Sequence, residues 1–232
     1  MRPRRRKSRL FLPQNTLLRI QSPAPRSAQA DLLTRAEKRM CVPPPNATDS
    51  TQATTPHFRS LRRPDTAAMS DPVIRRCTSA DGETLRHLRL AMLRESPTSF
   101  NVDAAALTDE PPAYWRAWAE GAALAENGVV FFAYVAEEPV AMIAANLEGK
   151  TVHIGALWVS PSQRGHHFAN ALLCSVESWA HDIRATQIEL SVAEWNDAAI
   201  RLYTQRHYQD TTERIATRFG HEERVMAKTV GF

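Results

Sequence analysis

The chain has 232 residues and a formal net charge of +4, a length typical of one ordinary domain with an extra segment or of two small domains. The charge is unevenly distributed, because residues 1–70 carry +10 and residues 71–232 carry −6. The second segment is therefore acidic, which argues against nucleic-acid binding by that segment. The sequence contains no apolar run of about 18 residues that would predict a membrane-spanning helix.

Residues 1–70 have the composition of a disordered leader. They hold nine of the 15 prolines, none of the eight glycines and no sustained amphipathic period. Such a segment cannot bury enough apolar surface to offset the entropy lost on ordering. An organellar transit peptide and a basic nucleic-acid-binding arm are two functional alternatives. We favour a third interpretation, in which the reading frame is over-extended, Met69 is the initiator and residues 71–232 form the domain.

After the leader, strand and helix periods alternate. The elements predicted before residue 150 are, in chain order, a strand over residues 73–77, a helix ending near Ser96, a loop over residues 99–109, a helix opened by Pro111, and strands over residues 129–136 and 139–147. Glu137 and Glu138 are predicted to form the turn of a hairpin between the last two strands.

The strongest pattern lies between residues 152 and 181. Residues 152–159 are apolar and β-branched enough for a strand, which Pro161 ends. From Phe168 onwards the apolar residues recur at helical spacing, so a helix is predicted there. The intervening loop of residues 163–169 leads into the helix N-terminus, where free amides and the helix dipole favour an anion. The arginine and glycine in this loop suit a phosphate or pyrophosphate group.

The rest of the domain is predicted to contain three strands and one helix. The strands cover residues 187–193, 208–217 and 225–230, and the helix lies between the first two. Asn196 and Tyr203 are seven residues apart in this part of the chain, two helical turns, and so share one face.

Two segments resemble signatures of the GNAT superfamily of N-acetyltransferases. VSPSQRGHHFANALL, residues 159–173, is similar to the acetyl-CoA signature, and the segment from Leu190 to Tyr208 is similar to a second signature of the family. His167 and His207 depart from the pattern, since both stand where glycine is usual. The resemblance implies an α/β fold of the GNAT type over residues 72–230, with a central mixed sheet of about six to seven strands flanked by about four helices.

The resemblance also implies that acetyl-CoA is bound as the acyl donor and that no metal is required. Loop amides would cradle the pyrophosphate, and the backbone of the preceding strand would pair with the pantetheine arm, much as a peptide augments a sheet. The implied cofactor-binding residues are Leu157, Trp158, Val159, Arg164, Gly165, His166, His167, Phe168, Ala169 and Asn196.

Two of the family's functional residues fall at or within the helix predicted after the strand of residues 187–193. The resemblance implies that Tyr203 is catalytic and donates a proton to the departing thiolate, while Asn196 contacts the cofactor arm. Asn196 is also a good N-cap for a helix beginning at Asp197, and the two roles can hold together.

His153 is the candidate general base of the reaction. Histidine titrates in the range needed to relay a proton from an ammonium group. Strand alternation places His153 on the same face as Gly155 and Leu157. Glu189 on the neighbouring strand and a chain of water molecules are the competing assignments.

The acceptor site is expected near the first two helices of the domain. The resemblance places Phe100, Tyr114 and Trp118 in this region, where each lies near the substrate or simply packs in the core. The three cysteines, at positions 41, 77 and 174, form no metal-binding spacing and agree with a reduced compartment.

We therefore expect an acetyl-CoA-dependent N-acetyltransferase that transfers an acetyl group directly to a primary amine of a small molecule or of a peptide or protein N-terminus. A non-catalytic acyl-CoA-binding module is the alternative, because a fold does not guarantee its chemistry. The protein is expected to be a cytoplasmic monomer or homodimer, with no nucleic-acid or membrane partner for the folded domain.

Overall fold

A seven-stranded mixed sheet organises residues 73–231, the part of the chain that the structure, a computed structural model, describes. The predicted leader of residues 1–70 and its boundary lie outside the described residues, so the domain division stays a prediction. The elements are β1 (Val73–Arg76), α1 (Gly82–Glu95), α2 (Ala104–Thr108), α3 (Pro112–Leu124), β2 (Gly128–Val135), β3 (Glu138–Glu148), β4 (Thr151–Val159), α4 (Phe168–Asp182), β5 (Gln187–Ala193), α5 (Asp197–Gln205), β6 (Gln209–Ala216) and β7 (Glu222–Thr229).

The strand order across the sheet is β1-β2-β3-β4-β5-β7-β6. Among these strands only β4 and β5 run parallel, and every other neighbouring pair is antiparallel. The predicted mixed α/β architecture is confirmed, and the described part of the chain contains five α-helices.

Two short-range predictions are wrong in detail. The predicted loop of residues 99–109 contains α2, because the Asp103 side chain accepts hydrogen bonds from the amides of Ala105 and Ala106 and so caps a run of alanines. The hairpin turn is formed by Ala136 and Glu137, with φ values of 46° and 69°. The turn therefore lies one residue earlier than predicted, as a two-residue loop with left-handed backbone at both positions.

Apolar side chains cover both faces of the sheet. On one face α4 and α5 pack through a set that includes Phe168, Leu172, Val176, Trp179 and Tyr203. On the other face α1 and α3 pack through a set that includes Leu85, Leu88, Met92, Trp115 and Trp118. The sheet is thus a middle layer between two helical layers, which leaves its strand ends and any gap between strands as the places for a site.

Such a gap opens between β4 and β5. Their parallel pairing covers only Thr151 to Ile154 on β4 and Gln187 to Leu190 on β5. Beyond that point β4 stays paired with β3 as far as Val159, while β5 stays paired with β7 as far as Ala193. The two strands therefore diverge, and the edge of β4 that faces the gap presents unpaired ladder positions.

A β-bulge lies where the pairing of β4 and β5 ends. On β3, Ala144 and Ala145 are partnered by Ala156 and Ile154, so Gly155 is the extra residue. The bulge reverses the alternation of side chains along β4. Val152 and Ile154 belong to the α4 side, whereas Ala156 and Trp158 belong to the α1 side.

No helix within residues 73–231 is long and apolar enough to span a bilayer. The longest, α4, has 15 residues.

The C-terminus of α5 explains why glycine is usual at the position of His207. The amide of His207 donates to the carbonyl of Thr204, and the amide of Tyr208 donates to the carbonyl of Tyr203, each at 3.0 Å. This is the Schellman arrangement, which places the residue after the C-cap in the left-handed region. His207 has a φ of 67° there, at an exposed position.

We expect His207→Gly to raise the free energy of unfolding by roughly 0.5–1 kcal/mol, because glycine removes left-handed strain but loses more entropy on folding. Denaturant unfolding of the purified protein measures the change. His207→Ala is the matched control, since alanine keeps the Cβ atom and with it the strain. Equal stabilities of the glycine and alanine variants would contradict the strain assignment.

Candidate active site

The gap between β4 and β5 opens into a cleft of about 1510 Å³ that reaches both faces of the sheet. On the α4 side the cleft is lined by the loop before α4 and by residues of α5, including Tyr203. On the α1 side it is lined by Arg89, Phe100, Trp118 and His153, among others. One continuous space therefore joins the predicted cofactor region to the predicted acceptor region.

The loop before α4 has the shape of an anion cradle. Gly165 and His167 adopt left-handed backbone, with φ values of 86° and 62°, immediately before α4 begins at Phe168. The first amides of a helix have no intrahelical acceptor, and the dipole of the helix favours negative charge there. A Cβ atom at Gly165 would meet nothing within 4 Å, so there is open space beside the loop.

The left-handed conformation of His167 explains why the family signature usually carries glycine at this position. A histidine adopts this backbone at a cost, whereas glycine adopts it freely. The His167 side chain is exposed and makes no capping hydrogen bond to the helix. Its amide group is unchanged by the substitution, so the backbone part of the cradle is retained.

The side chain of Arg164 is engaged outside the cradle. Its Nη2 atom lies 2.9 Å from a carboxylate oxygen of Glu95 at the end of α1, and its Nε donates to the carbonyl of Val159 at 3.2 Å. The indole of Trp158 donates to the same Glu95 oxygen at 3.1 Å. Hydrogen bonds from Ser96, Arg164 and Trp158 lower the pKa of Glu95, so this carboxylate is charged at neutral pH.

All but one of the predicted cofactor-binding residues line the cleft. His166 is exposed and does not belong to the lining. The nine that do line it are Leu157, Trp158, Val159, Arg164, Gly165, His167, Phe168, Ala169 and Asn196.

Asn196 and Tyr203 both face the cleft from α5. Asn196 is the N-cap of the helix, because its side-chain oxygen accepts from the amide of Ala199 at 3.1 Å. Tyr203 is only 7% exposed and packs edge-on against Tyr208, with ring centroids 5.9 Å apart. Burial raises the pKa of Tyr203 above its usual value, so the hydroxyl remains protonated through neutral pH.

Comparison with protein families matches residues 90–208, just over half of the chain, to the acetyltransferase (GNAT) family. The chain belongs to the GNAT family. The predicted resemblance is thereby confirmed, and the matched residues include both signature segments.

Solved structures agree with the GNAT fold. A GNAT-family acetyltransferase from Streptococcus pneumoniae is similar with a TM-score of 0.61 and 14% identity, over 69% of this chain and 99% of that one. A putative acetyltransferase from Salmonella typhimurium, solved with its cofactor acetyl-CoA, is similar with a TM-score of 0.60 and 17% identity, over 70% of this chain and 96% of that one. At these identities the likeness establishes the fold alone.

A curated relative is the thialysine N-epsilon-acetyltransferase of Bos taurus. It is 26% identical over 94 residues, which make up 40% of this chain and 49% of that protein. The match therefore spans about half the length of the relative, and the substrate in the relative's name applies to that protein.

His153 lines the cleft on its α1 side, where the acceptor site is predicted. Its Nδ1 lies 3.5 Å from a carboxylate oxygen of Glu189, its register partner on β5, and its Nε2 lies 3.8 Å from Glu148. The prediction that His153 shares a face with Leu157 is wrong. The bulge at Gly155 turns Leu157 toward the α4 side, while His153 points away from that side with Glu189.

The three predicted acceptor-site aromatics separate into two groups. Phe100 and Trp118 line the cleft, whereas Tyr114 is not part of the lining and packs edge-on against Trp115 and Trp118. The turn between β6 and β7 contacts the same region, because the amide of Arg218 donates to the side chain of Asn101 at 2.9 Å.

Three polar residues that line the cleft were not predicted from the sequence: Arg89, Ser191 and Glu223. Ser191 donates to the buried Glu223 carboxylate at 2.5 Å, and both line the cleft. Glu223 was missed because β7 begins at Glu222, three residues earlier than predicted. Arg89 had a signal, since its position four residues after Leu85 and three before Met92 places it on the buried face of α1.

Proposed function

We propose that the protein is an acetyl-CoA-dependent N-acetyltransferase that moves an acetyl group directly to a primary amine of a small molecule or of a peptide N-terminus. The observation that carries the proposal is the divergence of β4 from β5 beside the loop that precedes α4, with Tyr203 in the same cleft. Membership of the GNAT family and the relative named for N-epsilon acetylation support it.

The residues present fit acetyl-CoA. The amides around Gly165, His167 and Phe168 would hold the pyrophosphate at the positive end of α4. The open edge of β4, at Leu157 to Val159, would pair with the amide groups of the pantetheine arm. An amide on that edge would also stabilise the negative charge that develops on the thioester oxygen.

The reaction also needs a group that protonates the leaving sulfur and a group that deprotonates the acceptor amine. Tyr203 would give its proton to the departing sulfur, and its buried hydroxyl stays protonated at the pH where amines react. A thiol in water has a pKa of about 8.5, below that of a buried tyrosine, so the proton would have to move in concert with cleavage of the C–S bond, while negative charge is building on the sulfur. His153, beside Glu189, would take the proton that the acceptor's ammonium loses before its nitrogen attacks the thioester.

We expect Arg164→Glu to weaken coenzyme A binding by about 1 kcal/mol or more, because the substitution places a negative charge beside the pyrophosphate cradle. Isothermal calorimetry measures the affinity. Glu95→Gln is the matched control, since it weakens the Arg164–Glu95 ion pair while leaving the positive charge in the loop. Equal losses in the two variants would assign the effect to the broken ion pair and remove the charge of Arg164 from the argument.

We expect His153→Gln to lower kcat by roughly 10²-fold or more without changing the KM for acetyl-CoA, because general base catalysis is lost while the cofactor site is untouched. Glutamine keeps a polar group between Glu148 and Glu189 but cannot take up the acceptor's proton. Steady-state kinetics of the purified variant measures both constants. A wild-type kcat in the variant would return His153 to a structural role.

We expect Tyr203→Phe to lower kcat by roughly 10²–10⁴-fold with little change in KM, because the lost hydroxyl acts only as charge builds on sulfur. Release of free thiol from acetyl-CoA across a panel of primary amines measures the rate, with thermal melting to verify folding. Wild-type turnover in the variant would exclude Tyr203 as the general acid. Coenzyme A binding without turnover of any amine by the wild type would instead identify a non-catalytic acyl-CoA-binding module.

A further inference from the structure

We propose that Arg89 binds a carboxylate on the acceptor, so that the substrate class is an amine that also carries a carboxylate, as amino acids do. The proposal rests on the proposed function and names the acceptor of that same site. It assigns a specificity-determining role to a residue of α1 that neither family signature contains.

Arg89 is a buried cation in the wall of the cleft. It is only 3% exposed, yet it belongs to the lining together with Phe100, Asn101 and Trp118. The neighbouring positions on the buried face of α1 are apolar, as Leu88 and Met92 illustrate.

Aromatic rings flank the guanidinium. Its central carbon lies 5.9 Å from the ring centroid of Phe100 and 5.9 Å from that of Trp118, and Nη1 lies 3.7 Å from the sulfur of Met92. Ring contacts of this kind offset part of the cost of burying a charge and hold the plane of the guanidinium. Its N–H donors form a fixed fork that matches the two oxygens of a carboxylate.

The charge of Arg89 persists at neutral pH. Burial lowers the pKa of the guanidinium to about 10, which still leaves it protonated. A carboxylate in a desolvated cleft gains more from such a partner than it would in water.

The floor of the cleft carries the opposite charge. Glu189 on β5 and the buried Glu223 on β7 both line the cleft, and Ser191 lies between them on β5. The lining of the cleft therefore carries a cation on α1 and carboxylates on the strands. An acceptor with an amine at one end and a carboxylate at the other complements both signs, whereas a simple polyamine would place a positive charge beside Arg89.

The test compares acceptors that differ only in this carboxylate. Lysine, ornithine and glycine are each paired with their carboxamides, and binding to the protein in the presence of coenzyme A is measured by calorimetry. The wild type should prefer at least one carboxylate over its carboxamide by about tenfold or more, the value of a charge-assisted bidentate contact. In Arg89→Met this preference should fall to near one.

Arg94→Met is the matched control, because Arg94 lies on the same helix, is exposed and does not line the cleft. It should keep the wild-type preference. Should Arg89→Met fail to fold, Arg89→Lys retains the charge without the fork and should lower the preference partially. Equal binding of carboxylates and carboxamides by the wild type, or no binding of any carboxylate, would overturn the proposal.

A turnover assay with the same paired acceptors distinguishes failure of this proposal from failure of the proposed function. If the protein acetylates amines but does not discriminate between the paired acceptors, the role of Arg89 fails and the acetyltransferase assignment stands. If carboxylates bind in an Arg89-dependent manner but no acetyl group is transferred, the acceptor class is supported and the catalytic assignment fails.

Discussion

The divergence of β4 from β5 is the constraint on which the rest of the site depends. Both strands continue beyond Ile154 and Leu190, each held on its outer side by an antiparallel neighbour, so the gap is enforced by the sheet. It exposes the ladder positions of β4 and opens a passage through the middle layer of the fold. Without it, the helical layers would enclose two separate faces with no space in common.

The fold could be predicted because its central unit has a strong local pattern. A β-branched strand ended by Pro161, a loop rich in turn residues and an amphipathic helix from Phe168 define adjacent elements whose order restricts the topology. The two histidines in place of glycine did not mislead the prediction, since His167 and His207 both adopt the left-handed backbone that glycine favours. The helix α2 escaped prediction because one side chain, Asp103, nucleates it.

The α1 side of the cleft was harder to predict, for two physical reasons. Alternation along a strand holds only while the ladder is regular, and the bulge at Gly155 separates His153 from Leu157 in a way that no period reveals. Arg89, Ser191 and Glu223 come from α1, β5 and β7, far apart in the chain, and they line one cleft only because the fold brings those elements together. The predicted cofactor residues come from two segments, each continuous in sequence, and so each segment carries a recognisable signature.

The two sides of the cleft are also mechanically linked. Glu95 lies at the end of α1, the helix that carries Arg89. Its carboxylate accepts hydrogen bonds from Trp158 on β4 and from Arg164 in the loop before α4. The helix that would position the acceptor is therefore tied to the strand and the loop that would position the donor. This arrangement suits direct transfer, in which both substrates must be held together at the gap, because proximity contributes to rate only when the relative placement of the reacting groups is fixed.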